Sequence, residues 1–122
     1  MRKILICNLL ILVLVGCAPA INTNPTATSI LKEHSQVDIL QYNNLIYINA
    51  TSLESIKKLE FTKSEKIGEV VKTTNSSKKF KDFYATKLES GTEIFSTNDN
   101  NTYTIIAESN GQQILYTVLL EG

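Results

Sequence analysis

Apolar residues are spread unevenly along the chain. Ile4 to Val15 is an apolar run broken only by Asn8. As a helix it would span about 18 Å at ~1.5 Å per residue, well short of the ~30 Å hydrocarbon core of a bilayer. With Arg2 and Lys3 ahead of it, the run reads as the apolar region of a signal peptide rather than as a lasting membrane span. Residues 18–36 then turn polar, with Asn22, Thr23, Asn24, Pro25, Thr26, Thr28 and Ser29 and few large apolar side chains. Such a segment buries too little surface to offset its ordering entropy. It reads as a tether, with room for a turn of helix at Ile30–Glu33.

From Val37 onward the pattern is that of strands. Val37–Tyr42 and Leu45–Ala50 are β-rich runs separated by Asn43-Asn44. Asn tolerates the positive φ that a two-residue type I′ turn needs at both positions. In the second run Leu45, Tyr47 and Asn49 share one face and Ile46, Ile48 and Ala50 the other. Both faces are largely apolar, so this strand is predicted to be covered on both sides.

Thr51-Ser52-Leu53-Glu54 has capping-box spacing, and Leu53, Ile56 and Leu59 recur every three residues, which predicts a short helix near 52–60 packed on the sheet. Lys63–Lys66 reads as a polar turn. Ile67–Thr73 is a strand in which Gly68 marks a bulge. Asn75–Asp82 is a lysine-rich loop, and Phe83–Thr86 a short strand. Strands at Thr92–Thr97, Thr102–Glu108 and Gln113–Leu120 follow, divided by the turn clusters Asn98–Asn101 and Ser109–Gln112. Asn110-Gly111 is the strongest hairpin signal in the chain. The prediction is a mainly β domain over residues 37–122, α+β at most. It would be a small antiparallel meander, barrel or roll of about six or seven short strands with one short helix.

Composition narrows the class. The chain has 122 residues, enough for one domain. Twelve basic and 12 acidic residues give zero net charge, which argues against holding nucleic acid by phosphate neutralisation. Two Cys and 1 His are too few for a structural Cys/His zinc site.

The N-terminal run ends in Leu14-Val15-Gly16-Cys17. Behind a basic start and an apolar stretch, these four residues resemble the lipobox of bacterial lipoproteins. The resemblance implies a diacylglyceryl group on the Cys17 sulfur and cleavage between Gly16 and Cys17, and leaves open whether the new amino group is acylated too. It divides the chain into a signal peptide (1–16), a lipidated Cys with its tether (17–36) and the β domain. The competing reading is an ordinary secretory signal cut near Ala18-Pro19-Ala20. Loss of residues 1–16 removes Arg2, Lys3 and Cys7, leaving a slightly acidic protein without Arg and with Cys17 as its one Cys.

A broader resemblance is carried by Tyr42–Ala50, Ile67–Val70 and Ala85–Phe95. Together these stretches are similar to small uncharacterised secreted proteins and lipoproteins of low-GC Gram-positive bacteria. The similarity implies a small β domain and brings no catalytic residues. Glu89 and Phe95 stand where that pattern has Pro and Tyr.

Candidate chemistry is sparse. His34 stands beside Glu33 in the tether, without a second His or a free thiol. Glu65 with Glu69, and Glu89 with Glu93, are carboxylate pairs with lysines nearby, the pattern of a solvated charged face. Asp99 among Asn98, Asn100 and Asn101 lacks the carboxylates of a calcium loop, and no glycine-rich phosphate loop is present. No catalytic residue, metal or cofactor is therefore assigned.

The segment that stands out is Lys78-Lys79-Phe80-Lys81, followed by Asp82-Phe83-Tyr84. Lysines interleaved with aromatics suit anionic headgroups, an anionic wall polymer or a protein partner, each Lys near an anionic surface contributing about 1 kcal/mol. Core aromatics flanked by solvated lysines would give the same pattern.

The functional expectation is a membrane-anchored, extracytoplasmic lipoprotein. It would be held to the bilayer through diacylglyceryl-Cys17 and would act as a non-enzymatic binding module toward an envelope protein or anionic polymer. An inhibitor or immunity-type lipoprotein is the alternative, and a small hydrolase a third class.

Overall fold

The computed structural model describes residues 24–53, 60–99 and 103–120. The fold is the mainly β one that the sequence predicts, with one short helix among the described residues. That helix, α1 (Ala27–Glu33), precedes eight strands: β1 (Ile39–Tyr42), β2 (Leu45–Asn49), β3 (Lys63–Glu69), β4 (Lys72–Thr73), β5 (Tyr84–Ala85), β6 (Glu93–Thr97), β7 (Thr104–Ser109) and β8 (Gln112–Val118). The helix predicted near 52–60 falls on residues 54–59, outside the described residues.

The strands form one sheet in the order β3-β6-β7-β8-β2-β1-β5-β4. Its pairings are antiparallel except for the short parallel contact of β4 with β5. Seven spacings of ~4.8 Å would set the two edge strands roughly 34 Å apart in a flat sheet. Yet β3 ends at Glu69 and β4 begins at Lys72. Three residues span at most about 11 Å, so the sheet must curl until its edges approach, and it forms a half-barrel. Val70 and Val71 stitch the seam. The Val70 N–H donates to Thr92 O and the Val71 N–H to Phe83 O, each at 2.8 Å.

Local chemistry sets the hairpins. Asn43 and Asn44 adopt φ of 52° and 66°, and Asn110 and Gly111 φ of 53° and 77°. These are the paired positive values of type I′ turns. Between Lys66 and Gly68 the β3–β6 register shifts, so the predicted bulge is present.

Two apolar clusters lie on opposite faces of β1 and β2. Leu40 and Tyr47 join Val70, Ala85, Leu88, Ile94, Ile105, Ala107 and Tyr116 inside the curl. Ile39 and Ile46, on the other face, meet Ala27 and Leu31 of α1. The two-sided burial predicted for β2 is thus realised, and α1 is the cover. Residues 27–33 lie within the stretch read as a tether, so the ordered structure starts ahead of Val37. Seven residues are marginal as an isolated helix. Burial of Ala27 and Leu31 against the outer face of β1 and β2 stabilises this one. Thr26 caps it: Thr26 Oγ1 accepts from Ser29 N at 3.2 Å, and Ser29 Oγ accepts from Thr26 N at 3.0 Å.

Buried polar groups fix the β1–β5 junction. Thr86 Oγ1 accepts from Ile39 N at 2.9 Å and donates to Val37 O at 2.6 Å. Ile39 is fully buried, so no water replaces the hydroxyl. Thr86→Val should cost about 1–3 kcal/mol by leaving a buried amide unpaired. Thr86→Ser, which keeps the oxygen, should cost clearly less in chemical denaturation. Equal losses for the two variants would show that the methyl matters as much as the hydroxyl.

Candidate interaction surface

The lysine-rich segment picked out from sequence forms the loop between β4 and β5. Its first half is a chain of small hydroxyl turns. Ser76 N donates to Thr74 Oγ1 at 3.1 Å and Lys78 N to Ser76 Oγ at 3.2 Å. Ser and Thr hydroxyls form such turns two residues apart along the chain. Lys79 follows in the left-handed region at φ 56°.

Phe80 then turns inward. It is half-buried and packs against the cluster that holds α1, with its ring 5.8 Å from that of Tyr84 in an edge-on contact. The loop's one carboxylate is turned toward the hairpin: Asp82 Oδ1 accepts from Asn44 N at 2.9 Å and Gln41 Nε2 at 3.1 Å. Phe83 N donates to Gln41 O at 2.6 Å, which seats the loop's end beside β1.

Lys78, Lys79 and Lys81 remain exposed. Lys72, at the start of β4, lies 5.7 Å from the Tyr84 ring centre, a cation–π distance. None of these four lysines joins an ion pair among the described residues. The other edge of the sheet differs. Lys63 pairs with Glu108, and Lys66 with both Glu69 and Glu93. The hydrogen bond from Lys63 holds the Glu108 carboxyl below its usual range, and the bonds to Glu69 and Glu93 raise Lys66. That edge thus sets three paired carboxylates against two lysines, whereas the β4–β5 loop presents cations to solvent.

The remaining sequence candidates are scattered. His34 is an exposed residue that ends α1. Glu69 and Glu93 meet through Lys66, on β3 and β6, while Glu65 and Glu89 are exposed and take no part in that cluster. Asn98 is tied to β3's approach, its Oδ1 accepting from Thr62 N at 3.0 Å. Asp99 joins Glu60, Phe61 and Asn98 around an open depression. Among the described residues no group of three or more His, Cys, Asp or Glu side chains is placed to hold a metal ion. Gly16 and Cys17 lie outside the described residues.

A cluster that sequence reasoning passed over sits at the other end of β1. Asp38 accepts from Tyr116 Oη at 2.7 Å and from Asn49 Nδ2 at 2.9 Å. It joins β8, β2 and the approach to β1, and its partners lie 11 and 78 residues away. No local pattern could have announced it. The chain matches no family model, and neither curated proteins nor solved structures yield a match.

Proposed function

We propose that this chain is a lipoprotein of the bacterial cell envelope. Diacylglyceryl on Cys17 anchors it to the extracytoplasmic face of the membrane, and its β domain is a non-enzymatic binding module. The observation that carries the proposal is the order of features in residues 2–17: positive charge, a short apolar run, a small residue and Cys. Each buried CH₂ of a lipid chain contributes about 0.8 kcal/mol, and stable anchoring takes two chains. Diacylglyceryl supplies two, so the domain needs no spanning segment of its own. Among the described residues no helix is long and apolar enough to cross a membrane.

The fold adds support through distance. A tether from Cys17 to Gln36 would reach at most roughly 65 Å. Because α1 is docked, the span from Cys17 to the domain falls to ten residue steps, or at most about 35 Å. A domain held that close acts on partners at the membrane surface or in the first layer of the wall, whether an envelope protein or an anionic polymer. A binding role rather than catalysis agrees with the carboxylates that are engaged: Glu69, Glu93 and Glu108 in surface ion pairs, Asp82 in capping a turn and Asp38 in joining strands.

The test is fractionation of the full chain in a bacterial host. The wild-type protein should sediment with membranes and leave them only in detergent. Cys17→Ser should appear in the soluble or secreted fraction, or as an uncleaved precursor of higher mass. A Cys17→Ser protein that is processed and still membrane-bound would overturn the proposal.

A further inference from the structure

We propose that the β4–β5 loop is a docking face for anionic phospholipid headgroups of the same bilayer that carries the chain. On this view Lys72, Lys78, Lys79 and Lys81 orient the β domain on the membrane. The proposal rests on the lipid-anchor reading above and adds a second contact to it.

Three observations converge on this face. The first is charge. Four lysines fall within ten residues of chain and take part in no ion pair among the described residues, against one carboxylate, Asp82, which is turned toward Asn44 and Gln41. Mature net charge is slightly negative, so attraction to an anionic surface must come from a local patch, and at physiological salt it acts over only about 8 Å. The β4–β5 loop supplies such a patch, while Glu69, Glu93 and Glu108 are engaged by Lys66 and Lys63 of β3.

The second is presentation. Phe80 is packed into the fold rather than offered to solvent, and hydroxyl turns hold the approach to Lys78. The ammonium groups therefore ride on an anchored loop and lose little backbone entropy on binding.

The third is position. Phe80 packs on the same cluster as Ala27 and Leu31 of α1. The loop and the helix that receives the tether share one face of β1 and β2. A lipid ten residues ahead of Ala27 would therefore enter the domain from the face that carries the loop.

The experiment is lysine footprinting on the full lipidated protein. It is reconstituted in vesicles of phosphatidylcholine alone or of phosphatidylcholine with phosphatidylglycerol, acetylated briefly and read by mass spectrometry. Acetylation of Lys78, Lys79 and Lys81 should fall severalfold in the anionic vesicles, while Lys66 stays constant as an internal reference. High salt should restore it. In the variant Lys78→Gln/Lys79→Gln/Lys81→Gln, protection of Lys72 should be lost although the protein still floats with both vesicles.

Equal labelling in the two vesicle types would overturn the docking face and leave the anchor standing. So would protection that a soluble glycerol-phosphate polymer reproduces on neutral vesicles, which would assign the loop to a free polyanion. A protein whose intact mass lacks diacylglyceryl and that floats with neither vesicle would overturn both proposals. One that lacks the lipid yet floats only with anionic vesicles would overturn the anchor alone.

Discussion

Gly68→Ala should lower the stability of the β domain by about 2 kcal/mol, or its thermal midpoint by roughly 10 °C. Gly68 lies in β3, at one edge of the curled sheet, and the Phe83 ring comes down on it from the segment that leads into β5. A Cβ built on Gly68 would stand 2.6 Å from Phe83 Cε1 and 3.0 Å from Cε2, well inside contact. The ring has little room to retreat. Phe83 is pinned by the bonds of its N–H to Gln41 O and of its carbonyl to Val71 N–H, and its ring lies 5.5 Å from that of Tyr42. Its backbone sits at φ 68°, a left-handed conformation that bulky residues rarely adopt. The seam holds Phe83 there.

Replacing glycine by alanine in compatible backbone usually stabilises by about 0.4–1 kcal/mol through the unfolded state. A net loss would therefore report the clash directly. Gly68→Ala combined with Phe83→Leu should cost less than the two changes summed, with a coupling of about 1 kcal/mol or more. An unchanged midpoint for Gly68→Ala, or strict additivity, would mean that the two edges do not meet through this contact.

The seam also explains which parts of the fold were readable in advance. The hairpins at Asn43-Asn44 and Asn110-Gly111 were legible because a two-residue turn writes its φ requirement into two adjacent residues. The two-sided burial of β2 was legible because alternation along five residues shows both faces at once. Lys63–Lys66, read as a turn, belongs to β3. An edge strand is held by backbone bonds to one neighbour and can keep polar side chains in solvent, so it shows little hydrophobic pattern. Helix α1 was legible only as the turn at Ile30–Glu33, for a related reason. Its capping box uses Ser29 where Glu or Gln is usual, and only Ala27, Ile30 and Leu31 are apolar. It exists because β1 and β2 need a cover, a requirement written 8 to 19 residues downstream, at Ile39 and Ile46. The lysine loop was found from composition alone. That Phe80 faces inward while the lysines face outward depends on the same outer cluster, which no local window contains.

Alkaline pH should unfold this domain in a transition led by two tyrosines. Tyr47 and Tyr116 are both fully buried in the cluster inside the curl. Burial, with smaller contributions from Tyr42 and Asp82, pushes Tyr47 from the ordinary value of 10.0 up to about 12. Burial and then the hydrogen bond to Asp38 push Tyr116 upward as well. In the unfolded chain both phenols ionise near 10. The unfolded state therefore gives up its protons first, and stability falls as pH rises above that value. Between pH 10 and 12 Tyr47 alone removes about 3 kcal/mol at ~1.4 kcal/mol per unit, and Tyr116 acts with the same sign. A domain of this size holds only about 5–15 kcal/mol in total, so the combined loss is a large share of what keeps it folded. Tyrosinate absorbance from Tyr47 and Tyr116 should appear well above pH 10, together with loss of the β-sheet circular dichroism. Tyr116→Phe should be less stable near neutrality by about 1–2 kcal/mol, because Asp38 loses a donor, yet decline less steeply above pH 10. A wild-type protein whose tyrosines all ionise near pH 10 while its sheet persists would show that these two phenols reach solvent, and that the interior of the half-barrel is wet rather than closed by its seam.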